Sequence, residues 1–165
     1  MSEQREAKPA SESRTIMTDL VLPADTNYHG TIFGGKVMFL IDKIASIASM
    51  RHCRKPVVTA SSDILNFLAP VKIGEALLLE AFVTWTHRSS MEVYVKVCSE
   101  NLYTGERKLT ATSFLTFVAV DEHGRPTPVP AVIPETEEEK RLFESAPRRY
   151  EMRKRNRTLR EDRFV

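Results

Sequence analysis

One stretch of the chain constrains the fold more than any other. Residues 35–52 (GKVMFLIDKIASIASMRH) contain no proline and consist largely of good helix formers, which predicts one long helix of about five turns. At 100° per residue, a broad apolar face forms along it. The members of this face are Val37, Met38, Ile41, Ile44, Ala45 and Ala48. Such a face needs a second layer that buries it.

The segments around this helix have the composition of strands. Residues 15–22 predict a first strand, and four segments after the helix are rich in Val, Leu, Phe and Thr. These four are Val57–Leu68, Ala76–Thr86, Glu92–Asn101 and Lys108–Val120. The short connections between them favour hairpins. The sequence therefore predicts an α+β fold, in which the helix lies on one antiparallel sheet of about five strands.

The composition excludes several classes of protein. The chain has 165 residues, of which 42% are hydrophobic and 28% charged, as is typical of one soluble domain. Two cysteines cannot form a disulfide framework, and no apolar run approaches the roughly 20 residues of a membrane span. The polar N-terminus also lacks the apolar region of a signal peptide. We therefore expect a cytoplasmic protein without a membrane partner, and a net charge of +2 argues against nucleic acid.

Charge divides the chain into three parts. Residues 1–13 lack an apolar period and predict a disordered N-terminal arm. Residues 14–130 form the folded domain, which ends in a proline-rich segment. Within residues 131–165, an acidic segment after Pro134 predicts a surface helix. The basic tail that follows, from Arg148 onward, is expected to fray into solvent.

The segment before the long helix is the first candidate for chemistry. Gly30, Gly34 and Gly35, three of the six glycines, fall within six residues. Such glycines let backbone N–H groups approach a ligand, and they open a helix whose N-terminus favours negative charge. A tight turn followed by a helix cap would use the same residues. The Lys-Ser or Lys-Thr ending of a phosphate loop is absent, whereas stabilisation of an oxyanion is compatible with the segment.

Four blocks of sequence resemble the cytosolic acyl-CoA thioester hydrolases of the hotdog superfamily. They are LPADTNYHGTIFGGKVMFLID, DILNFLAPVKIGE, HRSSMEVYV and the turn at Tyr103–Gly105, and the resemblance as a whole covers about residues 14–126 and also the acidic segment PETEEEKRL. The resemblance implies the hotdog fold, a curved antiparallel sheet wrapped around a long central helix, here with a C-terminal helix. It also implies dimers, often gathered into trimers of dimers, that hydrolyse fatty acyl-CoA to free fatty acid and coenzyme A without a cofactor.

The resemblance implies roles for individual residues as well. The catalytic residues would be Asp42, Asn27, Gly34 and Gly35, with the two glycines acting through their backbone amides. The residues that contact substrate and coenzyme A would be Arg88, Ser89, Ser90 and His29. An ordinary hairpin corner would also account for residues 88–90. Likewise, Asp42 at the edge of the apolar face could simply be a solvated residue.

The spacing along the helix indicates that one chain does not complete the site. Asp42 lies eight residues beyond Gly34, which is about 12 Å along a helix. A reacting carbonyl needs an amide donor within about 3 Å of its oxygen and an activated water at similar reach. Two helices running antiparallel across a two-fold axis can supply both groups. We therefore expect the glycine amides and Asn27 of one copy to meet Asp42 of another.

The implied reaction is thioester hydrolysis. A glycine N–H holds the oxyanion, and Asn27 orients the water or the carbonyl through its amide. Asp42 either activates water as a general base or attacks the carbonyl to give an anhydride, and the sequence leaves both routes open. No metal is expected, because the histidines lack the spacing of metal ligands.

Two functions of other classes also remain open. A hotdog hydratase or dehydratase uses a His–Asp or His–Glu pair, for which only His29 is available. A non-catalytic protein would bind acyl-CoA, or nucleic acid through the basic tail.

Overall fold

A computed structural model describes residues 6–63 and 65–162. Within these residues the chain forms two α-helices and eight strands. The helices are α1 (Gly34–Cys53) and α2 (Glu137–Glu161). The strands are β1 (Ala7–Pro9), β2 (Thr15–Leu20), β3 (Val57–Ser62), β4 (Asn66–Phe67), β5 (Ala76–Thr86), β6 (Ser90–Glu100), β7 (Arg107–Ala119) and β8 (Ala131–Ile133). None of the described helices is long and apolar enough to cross a bilayer.

One antiparallel sheet forms the frame of the molecule, with strand order β2-β5-β6-β7-β3 and with β4 paired beside β3 on β7. Three irregularities in register, in the β5–β6, β6–β7 and β3–β7 pairs, add bends to the sheet. The alternation of β6 places Met91, Val93, Val95 and Val97 on one fully buried face. The α+β hotdog architecture predicted from the sequence is confirmed.

Helix α1 packs its apolar face against this sheet. Val37, Ile44, Ala45 and Ala48 are fully buried, as predicted. The prediction for Met38 is wrong, because 52% of that residue is exposed. Met38 lies one turn before Asp42, and both line a cavity between the edge of the helix and the sheet, so the sheet covers Met38 only in part.

The single strand predicted over Val57–Leu68 is interrupted. β3 ends at Ser62, and β4 begins at Asn66. Between them the Asp63 N–H donates to the Phe114 carbonyl, and the Asp63 carboxylate accepts from Arg153 of α2 at 3.2 Å. An ion pair with the helix that covers the sheet thus interrupts the strand. Residue 64 lies outside the described residues.

The N-terminal arm is ordered from residue 7, which corrects the prediction of disorder over residues 1–13. β1 pairs in parallel with β8, and the turn that follows it buries Ala10 and Ser13. Arg14 then forms ion pairs with Glu80 and Glu139. Pairing with residues more than 100 positions away supplies the order that local composition does not predict. Residues 1–5 lie outside the described residues.

The basic tail is helical, which corrects the prediction that it frays. α2 begins at a capping box in which Glu139 donates its N–H to the Thr136 hydroxyl and accepts from the Thr136 N–H. The helix continues through Pro147 to Glu161. Arg149 and Arg153 reach the carboxylate of Glu92 on β6, which is only 2% exposed. A buried acid thus holds the basic segment on the sheet. Residues 163–165 lie outside the described residues.

Candidate active site

The glycine-bearing end of α1 opens into a cavity of about 350 Å³, lined by Gly34, Thr31 and an apolar wall that includes Phe67. Gly34 is the first residue of the helix, so neither its N–H nor that of Gly35 has an acceptor within the helix. Among the described residues, no other acceptor binds these two amides either. A Cβ at Gly34 would lie 3.2 Å from Phe67 Cζ, so glycine lets that ring close over the helix end.

Asn27 organises the loop that leads into this helix. Its side-chain carbonyl accepts from the backbone N–H of His29 at 2.9 Å and of Thr31 at 3.3 Å. Its amide nitrogen lies 3.1 Å from the Thr31 hydroxyl, to which it donates. An Asn side chain has two N–H donors, so one remains for a ligand. The site can therefore use Asn27 as a donor, because its acceptor is already occupied by the loop.

Lysine and aspartate also connect this loop to the helix. Lys36 Nζ lies 3.4 Å from Asp25 Oδ1. The N–H of Leu22 donates to the Asp25 carboxylate, and this hydrogen bond, with Lys36 adding to it, lowers the pKa of Asp25. The lysine that follows the two glycines thus pairs with the loop carboxylate.

Asp42 lies in a second cavity, of about 320 Å³, on the edge of α1 that faces β3 and β7. The Thr59 hydroxyl donates to Asp42 Oδ1 at 2.9 Å, which orients the carboxylate. Apolar side chains, including Ile41 and Leu115, form much of the remaining wall. Thr59 is not among the site residues predicted from the sequence. No local signal marks it, because its role depends on β3 lying beside α1.

Within one chain, the two halves of the predicted site are separate. Gly34 lines the first cavity and Asp42 the second, eight residues, or about 12 Å, farther along the helix. Large apolar side chains stand exposed between them, with Met38 at 52% and Phe39 at 58%. Asn27, hydrogen-bonded to Thr31 of the first cavity, therefore lies on the Gly34 side and not beside Asp42.

The residues predicted to bind coenzyme A also lie apart. Residues 88–90 form the β5–β6 hairpin, and Ser90 pairs with Val118 on β7. Thr110, which lines the Gly34 cavity, is eight residues away along β7, or about 26 Å. The hairpin thus lies at the end of the sheet opposite Gly34. His29 is exposed, and its ring centroid lies 3.9 Å from that of Tyr28.

One further carboxylate lies next to the wall of the Asp42 cavity. Burial raises the pKa of Asp63, and the neighbouring guanidinium of Arg153 opposes that shift. Asp63 directly follows Ser62, which lines the cavity, so α2 reaches the wall through this ion pair. No three His, Cys, Asp or Glu side chains of the described segments are grouped so that they could hold a metal ion.

Comparisons with known proteins identify the family of this chain. The family model described as the thioesterase superfamily matches residues 29–106. An uncharacterized acyl-CoA thioester hydrolase of Bacillus subtilis, YkhA, is 54% identical over 92% of this chain and 88% of its own length. The chain spans 39% of the length of the human cytosolic acyl coenzyme A thioester hydrolase, to which it is 37% identical.

Solved structures show the same likeness. A hexameric acyl-CoA thioesterase in its apo form superposes with a TM-score of 0.91, at 59% identity over 93% of this chain and 99% of that one. The Staphylococcus aureus acyl-CoA hydrolase in complex with butyryl coenzyme A and coenzyme A gives 0.91 at 42% identity, over 96% of each chain. Other structures of the S. aureus enzyme replace one aspartate, one asparagine or one threonine by alanine.

Proposed function

The chain belongs to the thioesterase superfamily, and from this we propose that it hydrolyses fatty acyl-CoA to a fatty acid and coenzyme A at a site shared by two copies. Its enzyme class is acyl-CoA thioester hydrolase. The observation that carries the shared site is the division of one helix between two cavities. The first is lined by Gly34, at the helix end where the amides of Gly34 and Gly35 are unused, and the second is lined by Asp42.

The glycine amides supply the electrophilic half of the proposed reaction. An N–H without a partner at a helix N-terminus adds the positive end of the helix dipole to its own donor. Such a donor polarises the thioester carbonyl, and it binds more tightly as negative charge develops on the oxygen. The free N–H of Asn27, in the adjoining loop, can donate to the same oxygen or to the attacking water.

Asp42 of the other copy supplies the nucleophilic half. Thr59 occupies Oδ1, which leaves Oδ2 to accept a proton from water or to attack the carbonyl carbon. Either route ends in the same products, because water hydrolyses the anhydride of the second route. Asp, Asn and Thr are also the residue types replaced in the S. aureus variants.

Exposed apolar surface beside the site supports the proposal that a second copy of the chain docks there. Met38 and Phe39 lie uncovered on α1 beside the site, and the outer edge of β3 pairs with no other described strand. Antiparallel docking of two α1 helices would cover Met38 and Phe39 and bring each Gly34 close to the other copy's Asp42. We infer dimers, assembled as trimers of dimers in a hexamer like that of the similar thioesterase.

The same docking gives a place for coenzyme A. α1 ends at Cys53, eleven residues or about 16 Å beyond Asp42, and the hairpin of residues 88–90 lies at that end of the sheet. The extended pantetheine arm could span this length from the thioester, so that Arg88, with Ser89 and Ser90, contacts the phosphates. His29, exposed in the glycine loop, would contact substrate from the other copy.

The first test measures free thiol released from acyl-CoA substrates between butyryl-CoA and palmitoyl-CoA. We expect Asp42→Asn to lower kcat by about 10²- to 10⁴-fold, the usual range for loss of a general base. Asp19→Asn, on β2 and away from both cavities, is the matched control and should keep full activity. Near-normal turnover by Asp42→Asn would disprove the mechanism.

The second test addresses the shared site. Gly34→Pro deletes one N–H at the first helical position, which tolerates proline, while Gly34→Ala keeps the N–H and introduces the same Cβ beside Phe67. Asp42→Asn and Gly34→Pro should each be inactive alone. Unfolded and refolded together, they should recover about a quarter of wild-type activity, because half of the dimers are mixed and each holds one intact site. No recovery, with mixed dimers present, would place both groups in one chain's site.

A further inference from the structure

The cavity beside Asp42 contains a hydroxyl that the proposed mechanism does not use. Ser113 lies on β7, on the face that packs against α1, where its neighbours Ala111, Leu115 and Phe117 are all apolar. Ser113 is 3% exposed, and its Oγ is buried without a hydrogen-bond partner. An oxygen-bearing side chain thus interrupts an apolar row at the wall of the cavity that holds Asp42.

A buried hydroxyl without a partner is unfavourable, and among the described residues only the hydroxyls of Ser113 and Thr116 are in that state. Thr84, on β5, donates to the Glu92 carboxylate at 2.7 Å. No such bond fixes Ser113, so its side chain can rotate about χ1 between staggered positions without losing a hydrogen bond. A guest oxygen in the cavity would give the hydroxyl the partner that it lacks.

The other hydroxyls that line this cavity are already engaged. Thr59 donates to Asp42 at 2.9 Å, and Ser62 donates to the Asp63 carbonyl at 3.3 Å. The remaining lining side chains are Met38, Ile41, Leu65 and Leu115, which suit the hydrocarbon part of an acyl group. Within the described residues, Ser113 is therefore the hydroxyl of this cavity that is available to a substrate.

We propose that Ser113 is the subsite for a neutral oxygen on the acyl chain, so that the enzyme favours hydroxyacyl-CoA or oxoacyl-CoA over saturated acyl-CoA of equal length. This inference rests on the proposed function, because it requires the acyl group to enter the cavity beside Asp42. A serine hydroxyl both donates and accepts, and so it can bind either a hydroxyl or a keto oxygen. A carboxylate on the acyl chain would be disfavoured by the negative charge of Asp42 in the same cavity.

The experiment compares kcat/KM for pairs of acyl-CoA substrates of equal carbon number, one saturated and one carrying a hydroxyl at a chosen carbon. The hydroxyl is moved along the chain from one pair to the next, and the wild type is compared with Ser113→Ala. At the carbon that reaches Ser113, the preference for the hydroxyacyl substrate should fall about 3- to 10-fold in the variant, as expected for one neutral hydrogen bond.

Two variants act as controls. Ser113→Thr keeps the hydroxyl and should keep the preference, while Ser99→Ala removes a hydroxyl from a residue that is 4% exposed on β6 and does not line the cavity. An unchanged preference at every carbon in Ser113→Ala would overturn the proposal, as would an equal loss on both substrates of each pair. Absence of thiol release from every acyl-CoA by the wild type would instead overturn the proposed function.

Discussion

The two helices lie on opposite faces of the sheet and are held there by different interactions. α1 contacts the sheet through fully buried apolar side chains such as Ile44 and Ala48. α2 carries few apolar residues, and it is anchored where Arg149 and Arg153 meet Glu92 at 2.7–3.0 Å. Adjacent residues of one strand serve the two faces, because Met91 and Val93 point to α1 while Glu92 points to α2.

The difference shows which kind of packing can be recognised locally. Apolar residues that pack against a sheet recur with the period of the helix, so the sheet-facing side of α1 can be predicted from the sequence. A buried ion pair has no such period, and its acid lies 57 and 61 residues before its two partners. The sequence alone therefore predicts that the basic residues of α2 are solvated, because their contact with Glu92 is known only from the tertiary structure.

The largest stability effect is expected from Glu92→Ala. Within the described residues the change leaves Arg149 without a carboxylate partner and Arg153 with Asp63 alone, and loss of one member of a buried ionic cluster costs about 3–5 kcal/mol. The free energy of unfolding in urea measures this loss. Arg157→Ala, which removes an exposed pair on the same helix, should cost less than about 1 kcal/mol.

A double variant sharpens the same result. Replacing Glu92 and Arg149 together by methionine leaves Arg153 paired with Asp63, so no charge of the cluster is unpaired and most of the lost stability should return. If the double variant were as unstable as Glu92→Ala, the ion pairs themselves and not the unpaired charge would stabilise α2.

On the other face, Ile44→Ala should cost about 3 kcal/mol, because it opens a cavity in a site that is 0% exposed. Met50→Ala, on the same helix and 41% exposed, should lose far less. Urea unfolding at low and high salt distinguishes the ionic contacts of α2 from the apolar contacts of α1. Salt should leave the effect of Ile44→Ala unchanged, since no charge is involved.

The smallest effect concerns the start of α2 and depends on pH. Burial of Glu139 opposes ionisation, but hydrogen bonds from the N–H groups of Thr136 and Glu135, and from Arg14, outweigh it and lower the pKa of Glu139. A carboxylate with a lowered folded-state pKa stabilises the protein above its unfolded pKa of about 4.3, and that contribution is lost as pH falls through the folded pKa. Glu139→Gln should therefore cost about 1 kcal/mol at pH 7 and little in strong acid.

The pH dependence of stability that Asp63 contributes has the opposite sign. Burial raises its pKa, so its contribution to stability is present below the unfolded pKa and is lost as pH rises through the folded pKa. Asp63→Asn removes this titration, so the stability of the variant relative to the wild type should increase as pH rises from 3 to 7. Unfolding curves for both variants between pH 3 and 7 measure how the difference in stability from the wild type changes with pH. A change in the same direction for both variants would contradict the opposite pKa shifts of Glu139 and Asp63.

Much of the fold follows from local pattern. The helix predicted over residues 35–52 is observed over Gly34–Cys53, and β5 spans the predicted residues. Of the candidate site, the glycines stand out by composition, whereas the role of Asp42 is implied by the resemblance to the hotdog hydrolases and stays a prediction. Thr59 is not predicted, since its contact with Asp42 depends on where β3 meets α1.

The sequence by itself determined the α1 layer, the hairpin order of the long strands and the 12 Å that separates Gly34 from Asp42, because periodicity and helix rise are local properties. Only the tertiary structure decided that the arm after residue 6 is ordered, that α2 persists, and that Ser113 lies unpartnered beside Asp42. These features depend on partners distant in sequence, and no local pattern records which residues will meet.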